Sequence, residues 1–236
     1  MVQNRRNFLV GSAALAGTAM FSPRSTAIGM MPDAHGIGSP PVGSPAAALP
    51  RPASPAGIRP DLYSAAIAAL QRHGGRVGRD RVAIVDFSAP SSDPRFHIVD
   101  VASGTARSFL VAHGSGSDPD HSGWLERFSN QPGSNASSEG AFLTGDYYYG
   151  KHGRSQKLHG LDPSNSNALS RAIVVHGAWY SEPGVLSAHG KLGRSQGCFA
   201  VGDSQIGTVF GQLGPGRMIY AAKLASQPAQ ISLPAA

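Results

Sequence analysis

The chain has 236 residues, of which 41% are hydrophobic and 14% charged, with a formal net charge of +6. This length and apolar share fit one globular domain with flexible ends. So mild a charge, without a stripe of interleaved aromatic and basic residues, argues against a nucleic-acid partner, and a single cysteine, Cys198, excludes a disulfide framework.

In chain order, the first signal is Arg5-Arg6 just ahead of the apolar run Phe8 to Phe21. Paired arginines before a short, Ala- and Gly-rich core are the pattern of a twin-arginine export signal. As a helix the run would span roughly 21 Å, against ~30 Å for a bilayer core. A cleaved signal over residues 1–27 is therefore expected, with no stable membrane insertion afterwards and a periplasmic or cell-wall location. Cleavage after Ala27 removes Arg5, Arg6 and Arg24 and no acid, which leaves +3. Residues 28–60 follow, with Pro32, Pro40, Pro41, Pro45, Pro50, Pro52, Pro55 and Pro60 among Ala, Gly and Ser. Such a stretch buries no core and reads as a semi-extended linker. The folded unit is expected over 61–224, with a disordered tail at 225–236.

Inside that unit, Asp61 caps a short helix whose apolar face is Leu62, Ala66, Ala69 and Leu70, ended by Gly74-Gly75. The period then changes to that of strands. These are Arg81 to Phe87, a hairpin around Ser103-Gly104, and the runs AFLTGDYYYG, RAIVVHG and RMIYAAKL. A second helix carries Ile206, Val209, Phe210 and Leu213 on one face, with Asp203 as its cap and Gly214-Pro215 as its stop. The strands do not alternate with regular helices, so a parallel βαβ sheet is not expected. The expected fold is mainly β, an antiparallel sandwich or barrel-like domain with a few peripheral helices.

The chemistry centres on GRSQGC, residues 193–198. Gly193-Arg194-Ser195-Gln196-Gly197 matches the G-x-S-x-G elbow of serine hydrolases, but that elbow needs a histidine downstream, and the last histidine is His189. The nucleophile is therefore assigned to Cys198. An unpaired thiol in an exported protein calls for a reason, and reactivity is one. Gly197 permits a turn with φ > 0 beside it, so that backbone N–H groups can converge on an oxyanion. Arg194 and the start of the second helix are expected to favour the thiolate. The base must come from upstream. His176, at the end of RAIVVHG, is the first candidate, with His113 in VAHG and His189 in SAHGKLG as reserves. A histidine base gives a rate limb around pH 6–7. The remaining histidines show no diagnostic ligand spacing, so no metal and no other cofactor is expected.

These motifs carry a resemblance. HGAWY, a gap to Arg194 and then SQGC resemble the murein L,D-transpeptidase catalytic domain family, the YkuD-like domains. RFSNQPGSNASSEGAF, YYYGKHGRSQKLHGLD and GRSQGC stand in the order seen in one branch of it, and the likeness covers roughly residues 81–220. It implies a mainly β fold, Cys198 as nucleophile and His176 as base. It also implies that the Gly177 carbonyl orients the imidazole, with Ser195 and Gly197 as the small residues of the signature. The implied chemistry is acyl transfer on peptidoglycan stem peptides through a thioester, without a cofactor. Tyr149, Lys151, His152, Arg154, Ser155 and Arg194 are the candidates for gripping the stem. The common signature has His where Gln196 stands and Asn where Ala200 stands. An L,D-carboxypeptidase on the same scaffold, or a catalytically silent wall-binding module, are the alternatives.

Overall fold

The computed structural model describes residues 53–225. The expected signal, most of the linker and most of the tail lie outside the described residues. Helix α1, Pro60–Arg72, starts one residue earlier than its cap signal suggests. Pro60 occupies the first turn, where its missing N–H costs nothing, while Asp61 pairs with Arg59 and accepts the Leu62 N–H instead of capping. Pro55 and Ile58, just ahead of it, are already buried. Leu62, Tyr63, Ala66, Ala69 and Leu70 form the buried stripe of α1.

Eight strands make one sheet. In chain order they are β1 (Arg81–Asp86), β2 (Phe96–Asp100), β3 (Ala106–Phe109), β4 (Gly140–Gly150), β5 (Gly153–Gly160), β6 (Val174–Gly177), β7 (Phe199–Val201) and β8 (Met218–Ala222). The spatial order is β3-β2-β1-β8-β4-β5-β6-β7. The domain is mainly β with peripheral helices, as expected, but the sheet is mixed. β1 with β8 and β6 with β7 are parallel pairs, and the other pairings are antiparallel. Parallel neighbours need a crossover connection, and the one from β6 to β7 spans residues 178–198. It carries helix α2, Pro183–His189, and then the loop before Cys198.

β1 is buried on both faces. Val82 and Ile84 pack with the α1 stripe, whereas Ala83 and Val85 join a second core with Phe142, Phe199 and the buried face of helix α3, Asp203–Leu213. The ladder does not close, yet its outer strands are linked. Past Phe109 the chain leaves β3, and Ala112 pairs antiparallel with Ala200 on β7. Three residues span at most about 10 Å, so the sheet curls until its two ends are neighbours. This linking segment also pairs Gly114 with Ser195, and so holds the loop that precedes Cys198.

Two elements differ from expectation. The GKHGRSQKLHG stretch, which is not among the runs expected to form strands, completes a hairpin: β4 and β5 pair from Phe142↔Gly160 to Gly150↔Gly153, turning at Lys151-His152. SAHGKLG, where no helix is expected, begins inside α2, so His189 is that helix's last residue and is exposed.

Candidate active site

The parallel β6–β7 register pairs His176 with Ala200. Cys198 lies in the bend immediately before β7, two residues ahead of Ala200, which brings it to the same edge of the sheet as His176. Both line a cleft of about 600 Å³, together with Tyr148, Lys151, His152, Arg171, Tyr180 and Arg194. Among the described residues no carboxylate lines it.

The Cys198 thiol is half-buried and hydrogen-bonds to the Ala172 carbonyl, with Sγ 3.5 Å from the oxygen. Burial pushes its pKa up; the Val174 N–H and the charges of Lys151 and Arg171 oppose that shift. The shift favours the thiol over the thiolate. His176 is buried, and its Nδ1 lies 2.7 Å from the Gly177 carbonyl oxygen. A carbonyl only accepts, so Nδ1 carries the proton and Nε2 keeps its lone pair. Burial, followed by the nearby His152 and Lys151, holds the His176 pKa down to about 4, against the hydrogen bond to Gly177. That is well below the range expected for a histidine base. The His152 ring stacks on the His176 ring at 4.1 Å between centroids.

The loop before Cys198 is braced from within. Gly197 adopts φ +106°, where a Cβ would also stand 2.6 Å from the Ala136 carbonyl oxygen, so glycine is required there on both counts. Its N–H does not point at an oxyanion: it donates to Ser195 Oγ at 3.1 Å. Ser195 Oγ in turn donates to the Cys198 carbonyl at 2.7 Å, and Ser195 is buried. A hydroxyl so placed shapes the loop. From outside, Ser195 exchanges backbone hydrogen bonds with the His113–Ser115 segment.

Arg194 reaches the cleft wall, but its guanidinium donates to the Asp118 and Pro119 carbonyls. The charges acting on Cys198 are those of Lys151 and Arg171 instead. The start of α3 is likewise engaged elsewhere: the Ser204 N–H and hydroxyl both donate to the Glu182 carboxylate, each at 2.7 Å. Of the stem-gripping candidates, Lys151, His152 and Arg194 line the cleft. Ser155 sits opposite His176 in the β5–β6 ladder, buried beneath it. Tyr149 and Arg154 are cross-strand partners pointing to the other face. Tyr149 is exposed, and the Arg154 guanidinium lies 4.1 Å over the Tyr147 ring. Gln196 is exposed at the cleft, and Ala200 is fully buried.

Of the reserve bases, His113 is fully buried between Arg95 and Asp118, with Arg95 Nη2 at 2.7 Å from Nδ1 and Asp118 Oδ2 at 3.1 Å from Nε2. Sequence reasoning missed this triad, and it missed Arg171 and Tyr180. Burial, then the charges of Cys198 and Asp203, push the Tyr180 phenol up to about 12. Tyr180 was in view within HGAWY, next to His176; Arg171 carried no motif.

Among the described residues no group of three or more His, Cys, Asp or Glu is placed to hold a metal ion, and no helix is long and apolar enough to cross a membrane.

Residues 55–222 match the family model described as the L,D-transpeptidase catalytic domain. No curated protein matches the chain. Similar solved structures include an L,D-transpeptidase from Mycobacterium smegmatis, with 12% identity and a TM-score of 0.38 over 61% of this chain and 59% of that one. An L,D-transpeptidase from Mycobacterium tuberculosis has 12% identity and a TM-score of 0.39 over 62% and 59%. The helical cell shape determining protein Pgp2 from Campylobacter jejuni has 11% identity and a TM-score of 0.38 over 68% and 56%. The chain thus spans somewhat under three fifths of the length of each of these structures.

Proposed function

This chain belongs to the L,D-transpeptidase catalytic domain family, and from that membership we propose that it is a cysteine-dependent murein L,D-transpeptidase. The observation that carries the reading is the pair itself: His176 on β6, with Nδ1 tied to Gly177, and Cys198 just ahead of β7 line one cleft. His176 Nε2 takes the thiol proton as Sγ attacks the carbonyl carbon after the L-centre of diaminopimelate in a tetrapeptide stem. The tetrahedral intermediate collapses, the proton passes from His176 to the departing amine, and D-alanine leaves a thioester on Cys198. The amine of a second stem then attacks the thioester and regenerates the thiol. A cleft lined by Lys151, His152, Arg171 and Arg194 suits a substrate that carries free carboxylates.

The substrate lies outside the cytoplasm, and we infer export through Arg5-Arg6. Replacing both with Lys is expected to leave precursor in the cytoplasm; normal export of that variant would overturn the route. The activity is tested by mass spectrometry of muropeptides incubated with the purified protein and with C198A. Cross-linked dimers that appear with wild type alone support the reading. Shortened stems without dimers would make water the acceptor and the enzyme a carboxypeptidase. Sacculus binding with no change in either protein would leave a wall-binding module.

A further inference from the structure

Arg171 stands outside every motif, yet it touches each part of the nucleophile's seat. Its guanidinium makes four hydrogen bonds into segment 129–138. Nη1 donates to the Ser129 carbonyl and Ser138 Oγ, each at 2.7 Å; Nη2 donates to the Ala136 carbonyl at 2.6 Å and Ser134 Oγ at 3.1 Å. The Ala136 carbonyl is also the atom against which Gly197 turns, and Nη2 lies 3.2 Å from where a Gly197 Cβ would be. The next residue, Ala172, is held at φ +54°, a left-handed conformation that non-glycine residues rarely adopt. Its carbonyl is the one that accepts the Cys198 thiol. The Arg171 charge also acts on Cys198 against the effect of burial.

We propose that Arg171 is a positioning residue for Cys198: its fork pins segment 129–138 against the Gly197 turn, and its fixed charge lines the cleft that holds Sγ. The inference rests on the reading of Cys198 as nucleophile. The other charged and titratable groups lining the cleft with the thiol are Tyr148 from β4, Lys151 and His152 from the β4–β5 turn, His176 from β6, Tyr180 from the segment after β6, and Arg194 from the loop before Cys198. None of them spans both the 129–138 segment and the cysteine seat in this way.

The test is alkylation of Cys198 by iodoacetamide across pH, followed by intact-protein mass spectrometry, in wild type, R171Q, R171K and S138A, with C198A as the blank. Arg171→Gln keeps an N–H donor for the carbonyls but removes the charge. Its thiol titration is expected to move up by about one unit, which lowers the rate at pH 7 about tenfold while the high-pH plateau stays that of wild type. Arg171→Lys restores most of that rate, and S138A, which loses one hydrogen bond and no charge, keeps the wild-type midpoint. A wild-type midpoint in R171Q overturns the proposal, and so does an equal shift in R171K. If R171Q fails to fold, R171K and S138A decide: a midpoint that moves in S138A as far as in R171K would make the effect merely structural. Failure of the nucleophile reading looks different, as it would show as an adduct persisting in C198A or as unchanged muropeptides with wild type.

Discussion

Two tetrapeptides of this chain are nearly the same, VAHG at 111–114 and VVHG at 174–177. Each ends an apolar run in a histidine followed by glycine, and burial holds both imidazoles down to about pKa 4. Their surroundings separate them. His113 has both nitrogens taken: Arg95 donates to Nδ1, so Nε2 carries the proton and donates to Asp118. Charging that ring would put two protons face to face between Arg95 and Nδ1. His176 has one nitrogen tied to its neighbour's carbonyl and the other left toward a cleft that also holds Cys198. A histidine becomes a base through the nitrogen that the fold leaves unspent, and burial alone does not make one. His113 serves the same site from behind, since its backbone carbonyl accepts the Ser195 N–H at 2.8 Å.

The contrast breaks most sharply at His176. Replacing it with Gln is expected to lower the rate of stem-peptide turnover by about 10²–10⁴ while the melting temperature at neutral pH stays within a few degrees. In wild type the acid limb of turnover should lie near pH 4, where the His176 imidazole titrates, and not near 6–7. A limb at 6–7 would mean that the ring is far better solvated than the structure shows.

His113→Ala should reverse the pattern. It takes one hydrogen-bond partner from each of the buried Arg95 and Asp118 charges, at a cost of about 3–5 kcal/mol and a melting point lower by on the order of 10 °C. The pH dependence of stability follows the same histidines. Both are held neutral in the fold, so the unfolded chain binds protons first. Stability is complete above about pH 6.5 and falls as pH drops from there through 4, where the native rings also charge. Urea unfolding across pH 4–7 measures this. A wild-type profile that stays flat over that window would show that neither ring is held neutral.

The smallest effect concerns His152, whose ring covers His176 and whose charge is among the causes that depress it. His152→Ala is expected to raise the His176 titration by about one unit and to lower turnover at pH 5 about twofold, with stability above pH 6.5 unchanged. An acid limb still at pH 4 in that variant would leave burial and the Lys151 charge as the causes of the shift.

Much of the fold was legible where the pattern is local. The stripes of α1 and α3 follow the helical period, and β1, the β2–β3 hairpin, β4, β6 and β8 are apolar runs bounded by turn residues. β5 was not legible, because GRSQKLHG is polar along most of its length and owes its strand state to β4 and β6 on either side. α2 buries none of its residues and so shows no apolar period, and β7 has only three residues. In the site, Cys198 and His176 stood out by residue type and by place in the chain. Arg171 did not, because what marks it is hydrogen bonding to Ser129, Ser134, Ala136 and Ser138, 33 to 42 residues away.

By itself the sequence determined the periodicities, the one thiol, the absence of a histidine after it, and a glycine beside it that a left-handed turn requires. These are properties of neighbours along the chain. Which histidine keeps a lone pair for the cleft was decided only by the tertiary structure, as was which arginine stands by the thiol. The reason is that burial sets the state of a titratable group together with the donors and charges that surround it. Here Arg95 with Asp118 through His113, Arg171 with Cys198, and His152 with His176 are brought together only by the folded sheet and its connections.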